Sequence, residues 1–236
     1  MEYRFDIVES KISLLNDILI NVILILAGTK TAEVKGISGA GATSQSRRYT
    51  ALADAELLLN GPKVKRNWQL PPLFAGVSPA LISHVSANLL DLKPEVVAIG
   101  LPEKEFSPYL AIESPCLGPA NCLSKGHAMD VCRVKRLWQE GITMGMSLKK
   151  PLVLTECVPG GTSTALAVLT GLGIPAGDWV SGSLKNLPIE LKKRLVQVGL
   201  KSAGITIDSS PFSLVAAIGD PFQPYAAGLL IGARKV

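Results

Sequence analysis

This chain of 236 residues predicts a three-layer α/β fold, with a mostly parallel, doubly wound sheet covered by helices on both faces. Three observations carry that prediction. Short apolar, β-branched runs alternate with longer helical stretches, the pattern of β-α-β crossovers. Ala, Val, Leu, Ile and 22 Gly dominate while aromatic residues make up 5%, which suits close-packed layers better than an all-β sandwich. Hydrophobic residues reach 47%, charged residues 18% and mean hydropathy +0.32, the balance of a folded chain rather than a disordered one. The length fits one domain over 1–236, with 100–128 as an irregular, loop-rich segment.

The elements follow in order. Residues 5–16, mixed polar and apolar, read as a helix. The run from Ile18 to Ala27 is interrupted by Asn21 and is half the length of a membrane span, which needs about 20 apolar residues. Glu2, Asp6, Glu9 and Asp17 are unlike the basic start of a signal peptide. The run is therefore a central strand over 18–26, buried on both faces and closed by Gly28, in a soluble, cytoplasmic protein. Ala51 to Leu59 forms a short helix that Asn60-Gly61-Pro62 stops. Leu70-Pro-Pro72 is a rigid turn, and Ser78 caps a helix over 79–90 with Pro79 at its first position. Val96 to Ile99 is a second strand. The Pro-, Gly- and Ser-rich stretch 100–128 reads as a lid or substrate-facing loop. A helix over Asp130 to Met146, a third buried strand over Pro151 to Thr155, and helices near 162–171 and 188–201 come next. A short strand at 205–207 and an alanine-rich helix at 224–233 end the chain.

Cysteine and charge narrow the function classes. Cys116, Cys122, Cys132 and Cys157 include no Cys-x-x-Cys pair and read as reduced thiols. With His127 they fit no zinc template, so no metal is expected. The net charge is +5 and the isoelectric point about 9.0. The basic residues cluster at Arg47-Arg48, Lys63 to Arg66, Arg133 to Arg136 and Lys192 to Arg194, without aromatic residues between them to stack bases. They read as solvated faces; nucleic acid is not an expected partner. A positive field does favour a small anionic substrate.

The chemistry concentrates in Pro151-Leu-Val-Leu-Thr-Glu156-Cys-Val-Pro-Gly160-Gly161-Thr162-Ser163-Thr164, which reads as strand, glycine loop and helix. Ligands of open α/β sheets bind beyond the carboxyl ends of strands, where this loop lies. Gly160 and Gly161 permit close backbone approach, and Thr162 to Thr164 offer N–H groups and hydroxyls at a helix N-terminus, a site for phosphate. No Lys-Ser/Thr follows the glycines, so the loop is not a Walker A motif. Glu156 closes an apolar strand and is placed to meet a ribose hydroxyl, a cation or a substrate base. The Gly39-Ala-Gly41 stretch lacks the third glycine of a dinucleotide fingerprint and does not directly follow its strand. Neither a nucleophile elbow nor a histidine pair suited to covalent catalysis is present.

Four segments, Gly36 to Thr43, Tyr49 to Glu56, Glu156 to Leu166 and Gly219 to Leu229, together resemble one family. It is the cyanobacterial and archaeal branch of the nicotinate-nucleotide–dimethylbenzimidazole phosphoribosyltransferases, and the similarity runs from about Val22 to the last residues. The resemblance implies a homodimer that moves phosphoribosyl from nicotinate mononucleotide to an aromatic base such as dimethylbenzimidazole, in assembly of the cobalamin lower ligand. It implies no metal or redox cofactor. Carried over by motif, Gly160, Gly161, Thr162, Ser163, Thr164 and Lys192 hold the donor phosphate. Glu156 faces the substrate, and Ser38, Gly39, Ala40 and Gly41 border the acceptor base. Members of the family continue beyond Val236 with a further strand, turn and helix, and in the bacterial branch that tail carries the general base. The expectation is a fragment or shortened form, or a base among Glu33, Glu113 and Glu156. A nucleotide-binding module without turnover and a structural assembly protein are the alternative classes.

Overall fold

The computed structural model describes residues 20–234 apart from 42, 66, 69, 71–77, 102–108, 115–116, 178 and 207. The helix expected over 5–16 and most of the turn at 70–72 lie outside the described residues. Four parallel strands, β1 (Asn21–Ala27), β2 (Glu95–Ile99), β3 (Leu110–Ala111) and β4 (Leu152–Cys157), form a sheet in the order β3-β2-β1-β4. Seven α-helices are described: α1 (Thr50–Asn60), α2 (Pro79–Leu89), α3 (Val131–Ser147), α4 (Gly161–Gly171), α5 (Ile189–Ala203), α6 (Pro211–Ile218) and α7 (Phe222–Ala233).

The alternation of side chains along β1 and β2 separates the two faces. Ile23, Ile25, Val97 and Ile99 pack against Leu137 of α3 and Tyr225, Ala226 and Leu229 of α7. Leu24, Leu26, Val96 and Ala98 pack against Ala51, Leu52 and Ala55 of α1. This is the predicted three-layer α/β arrangement, and β1 is central and buried on both faces as its apolar run requires. A further cluster joins Leu166 of α4, Val196 of α5 and Leu214 and Ile218 of α6 into a helical layer beyond the sheet. Ser78 caps α2 by accepting from the Ala80 N–H at 3.1 Å, with Pro79 in the first turn, as the Ser-Pro pair foretells.

Two expectations fail. Strand β4 is not buried on both faces: among the described residues it is an edge strand, with Leu152, Leu154 and Cys157 partly covered and Val153 44% exposed. No strand forms at 205–206; the Ile205 N–H instead bonds to the Leu200 carbonyl at 3.2 Å. With Gly204 at φ +62° this is a Schellman-type close, so the β-branched pair serves as the apolar tail of a helix stop. Of the segment 100–128, read as a lid or substrate-facing loop, residues 102–108 and 115–116 lie outside the described residues. Its described residues strap the sheet to the helical layer through Ala120 N–H to Gly28 O (2.9 Å), Lys30 N–H to Ala120 O (2.8 Å) and Leu123 N–H to Thr31 Oγ1 (3.1 Å). None of these described residues lines the main cavity.

The contact between α3 and α7 is made backbone to backbone. A Cβ on Gly141 would lie 2.2 Å from the Tyr225 carbonyl oxygen, and one on Gly145 2.2 Å from that of Leu229. Reciprocally, a Cβ on Gly228 would lie 2.1 Å from the Trp138 oxygen, and one on Gly232 2.3 Å from that of Ile142. Two Gly-x-x-x-Gly faces therefore interlock where any side chain would be excluded. At its N-terminus α7 is held by a capping box. The Phe222 N–H donates to Asp220 Oδ1 at 2.9 Å while the Asp220 N–H donates to Gln223 Oε1 at 3.1 Å. The other Asp220 oxygen accepts from the Thr164 hydroxyl of α4, so one buried carboxylate ties two helices together.

Two outcomes follow. Gly228→Ala gains about 1 kcal/mol of helix propensity in isolation, yet here it destabilises the protein by about 2 kcal/mol or more through overpacking; urea denaturation giving a stabilised variant would contradict the interlock. Burial pushes the Asp220 carboxyl up to about 6 from 3.8. The folded chain therefore keeps a proton that the unfolded chain releases. The stability this contributes is full below the unfolded value, is lost as pH rises through about 6, and amounts to at most about 3 kcal/mol. Denaturation of the wild type and of Asp220→Asn at pH 7 and at pH 4.5 should show the difference shifting in favour of the wild type on acidification; a constant difference would refute it.

Candidate active site

Beyond the carboxyl end of β4 lies a cavity of about 600 Å³. It is walled by the 37–40 loop, Thr50 and Asp54 of α1, Leu70, Ser78 and Pro79, residues 156–162, and the 181–183 loop. Adjacent residues of β4 face opposite sides of the sheet, so Glu156 and Cys157 reach the cavity from either side of the strand end. Glu156 is paired in register with Ile25 and Cys157 with Leu26, which fixes both at the sheet's rim.

Gly160 takes the left-handed conformation at φ +84°, and a Cβ there would sit 2.9 Å from the Ala32 nitrogen, so glycine is required on both counts. Gly161 begins α4, with Glu156 Oε2 3.9 Å from where its Cβ would be. The expected ladder of free donors is shorter than the motif suggests. The N–H groups of Gly161, Ser163 and Thr164 bond locally to the Val158 and Gly160 carbonyls. Ser163 and Thr164 are also fully buried, since the helical period turns both inward, Thr164 onto Asp220. Thr162 is the residue of α4 that turns its side chain to the cavity.

Behind that wall stands Lys192, in the first turn of α5 and only 1% exposed. Its Nζ donates to Thr162 Oγ1 at 2.8 Å and to the Ser181 carbonyl at 2.6 Å. Among the described residues no carboxylate pairs with it, and desolvation lowers its pKa. Because Thr162 accepts from Lys192, its hydroxyl hydrogen is left for a second partner. The Ser38 to Gly41 loop is bound to the same region: Ser38 Oγ and Ser183 Oγ lie 2.9 Å apart, and the Gly39 N–H donates to Ser183 Oγ at 2.9 Å. Ser38, Gly39 and Ala40 reach the cavity; Gly41 packs against Arg47 instead. Arg47 is buried, not the solvated charge its cluster suggests. Its guanidinium donates to the carbonyls of Ala32, Val34 and Gly41 and so shapes the loop.

Of the three glutamates weighed as general base, only Glu156 is at the cavity. Desolvation first, and the Asp220 charge second, raise its pKa, while a hydrogen bond from Val158 opposes them. Glu33 pairs with Arg48 at 3.4 Å beside a separate small hollow. Glu113 has a 1% exposed side chain locked between Arg133 and Arg136, so it is a structural ion pair. Sequence reasoning passed over Asp54, Ser78 and Cys157. Ser78 Oγ donates to Asp54 Oδ1 at 2.6 Å, and the Cys157 thiol lies 3.5 Å from Asp54 Oδ2. Burial raises both the Asp54 carboxyl and, much further, the Cys157 thiol, which is therefore neutral and a donor. An aspartate among the alanines and leucines of α1 was the available signal.

No family model matches the chain. A UPF0284 protein of Prochlorococcus marinus strain MIT 9313 is 55% identical over 215 residues, covering 91% of this chain and 53% of the relative. One from Parasynechococcus marenigrum strain WH8102 is 54% identical over 215 residues, with 91% and 55% covered. One from Gloeothece citriformis strain PCC 7424 is 42% identical over 217 residues, with 90% and 58% covered. The chain thus spans about half the length of these curated relatives. Among solved structures, CobT from Thermus thermophilus superposes with a TM-score of 0.67 at 16% identity, over 93% of this chain and 60% of that one. The nicotinate-nucleotide-dimethylbenzimidazole phosphoribosyltransferase of the same organism gives a TM-score of 0.66 at 16% identity, over 92% and 59%. In sequence this chain is a relative of the cyanobacterial UPF0284 proteins, and in fold it matches the Thermus thermophilus phosphoribosyltransferase over nearly its whole described length.

Proposed function

We propose that the cavity binds nicotinate mononucleotide and transfers its phosphoribosyl group to an aromatic base of the dimethylbenzimidazole kind, as a step in assembling the cobalamin lower ligand. The observation that carries this reading is Lys192: a buried ammonium without a carboxylate partner among the described residues, one side chain behind the mouth of a glycine loop. Holding a desolvated cation unpaired is costly, and a bound anion relieves that cost. The N-terminus of α4 adds its dipole to the same point, and the Thr162 hydroxyl supplies a donor. Phosphate at this end of the cavity directs the ribose toward Glu156, whose carboxylate faces the charge that develops at C1′ as the bond to nicotinate breaks. The bonding pair leaves on the nicotinate ring nitrogen, and the acceptor's ring nitrogen supplies the new pair to C1′.

Calorimetric titration tests the donor end. Gly161→Val places a branched side chain at the loop and should abolish binding of nicotinate mononucleotide while the protein stays folded; unchanged affinity would remove the loop from the site. Lys192→Met should weaken binding about tenfold or more, the loss of a hydrogen bond to a charged group at about 1.5–3 kcal/mol. The melting temperature should hold, because an apolar side chain of similar volume tolerates burial. Chromatographic detection of nicotinate, released only when dimethylbenzimidazole is present, separates a transferase from a module that binds without turnover.

A further inference from the structure

Asp220 reaches the glycine loop from behind. The residue is 1% exposed and stands at the first turns of two helices. Its Oδ1 accepts from the Phe222 N–H of α7 at 2.9 Å, and its Oδ2 from the Thr164 hydroxyl of α4. Thr164 Oγ1 also lies 2.9 Å from the Gly161 carbonyl oxygen. A hydroxyl carries one hydrogen, so Thr164 serves the carboxylate or the carbonyl and never both. An ionised carboxylate only accepts, and draws that hydrogen to itself. A protonated one can donate to Thr164 Oγ1, which then turns its own hydrogen to Gly161.

Gly161 opens α4 at the wall of the cavity, so the charge state of a buried carboxylate is felt at the loop proposed to hold the donor phosphate. Electrostatics act in the same direction. Desolvation first and the Asp220 charge second raise the Glu156 carboxyl, which lines that cavity. An ionised Asp220 also engages the positive end of the α4 dipole that an incoming anion would use. The neighbouring elements bring few competing groups. α4 and α6 carry no titratable side chain. Lys192 of α5 is a cation on the far side of Thr162. Arg133 of α3 comes near Pro221 at Gly100 but is paired with Glu113. In the 30–33 turn packed on Gly160, Lys30 holds Asn121 and Glu33 is paired with Arg48. Burial pushes the Tyr225 phenol of α7 up to about 12, so it stays neutral. Among the described residues, Asp220 and Glu156 are therefore the groups at this end whose charge changes at mildly acidic pH.

We infer that Asp220 is a positioning residue that links donor binding to a proton: ionised, it draws the Thr164 hydrogen away from Gly161 and opposes an anion at the loop; protonated, it returns that hydrogen and removes the opposing charge. This rests on the donor site proposed above and adds its regulation. The coupling is reciprocal, so an anion that enters draws a proton from solvent onto Asp220.

Sulfate, whose charge is constant between pH 5 and 8, is titrated calorimetrically into the chain across that range. Burial pushes the Asp220 carboxyl up to about 6, so it is protonated at the low end and ionised at the high end. Wild-type affinity should fall about fivefold or more as pH rises through this value, a modest coupling between sites. Asp220→Asn, whose amide donates to Thr164 as the protonated acid does, should bind at the low-pH wild-type level throughout. Thr164→Val takes a donor from the carboxylate and should move the fall to higher pH, while Thr164→Ser restores it. A wild-type affinity that does not change overturns the inference. So does an Asp220→Asn profile as steep as that of wild type, which would put the proton on Glu156. A Thr164→Val profile that coincides with that of wild type also overturns it, and this comparison holds even if Asp220→Asn does not fold. Wild type that binds neither sulfate nor nicotinate mononucleotide at any pH would instead bring down the donor site, and the inference with it.

Discussion

The interlock of α3 and α7 sets the geometry on which the site depends. Side chains ordinarily keep helices about 8–10 Å apart; four glycines remove them, and the two backbones settle against each other at carbonyl level. That fixes α7 relative to the sheet, since Tyr225, Ala226 and Leu229 fill the face of β1 and β2. It thereby fixes Asp220, and through Thr164 the first turn of α4. The glycine loop after β4 is therefore held from both sides, by strand pairing before it and by a buried carboxylate behind it. Loop precision here derives from a contact on the far side of the sheet.

Buried charge is compensated wherever it is structural. Arg133 and Glu113 neutralise one another, Arg47 is spent on loop carbonyls, and Glu56 receives three donors. Compensation stops at the cavity, where Lys192 lacks a carboxylate and Asp54 and Glu156 lack a cation among the described residues. Opposite charges are thus held apart across one hollow rather than paired across a contact.

Much of the fold is legible in the sequence because local signals and tertiary demands coincide. Ser78-Pro79, Asn60-Gly61-Pro62 and the β-branched core of β1 each specify their element directly. Ile205-Thr206 misleads because a helix stop recruits the same β-branched residues as a strand. The glycine-loop motif predicts which residues follow the strand but not how the helix is rotated, and only the helical phase turns Ser163 and Thr164 away from the cavity. Glu33 and Glu113 show the same limit: a carboxylate's sequence neighbours do not reveal the arginine that engages it. Asp54 was hidden by its setting, since an acid on an otherwise apolar helix reads as a solvated position until the cavity is seen.

Strand β4 has β1 as its one neighbour among the described residues, so nothing on its outer side opposes slippage. A shift of one residue would exchange Glu156 and Cys157 between the two faces, carrying the carboxylate to the α1 side and the thiol to the opposite face. The restraint lies at the strand's far end, where Asn21 uses both its backbone N–H, to Pro151 O at 2.8 Å, and its side-chain amide, to Lys150 O at 3.2 Å. The one polar residue in an apolar run is thus an alignment pin, and the identity of the group presented at the cavity is decided at the opposite end of the strand.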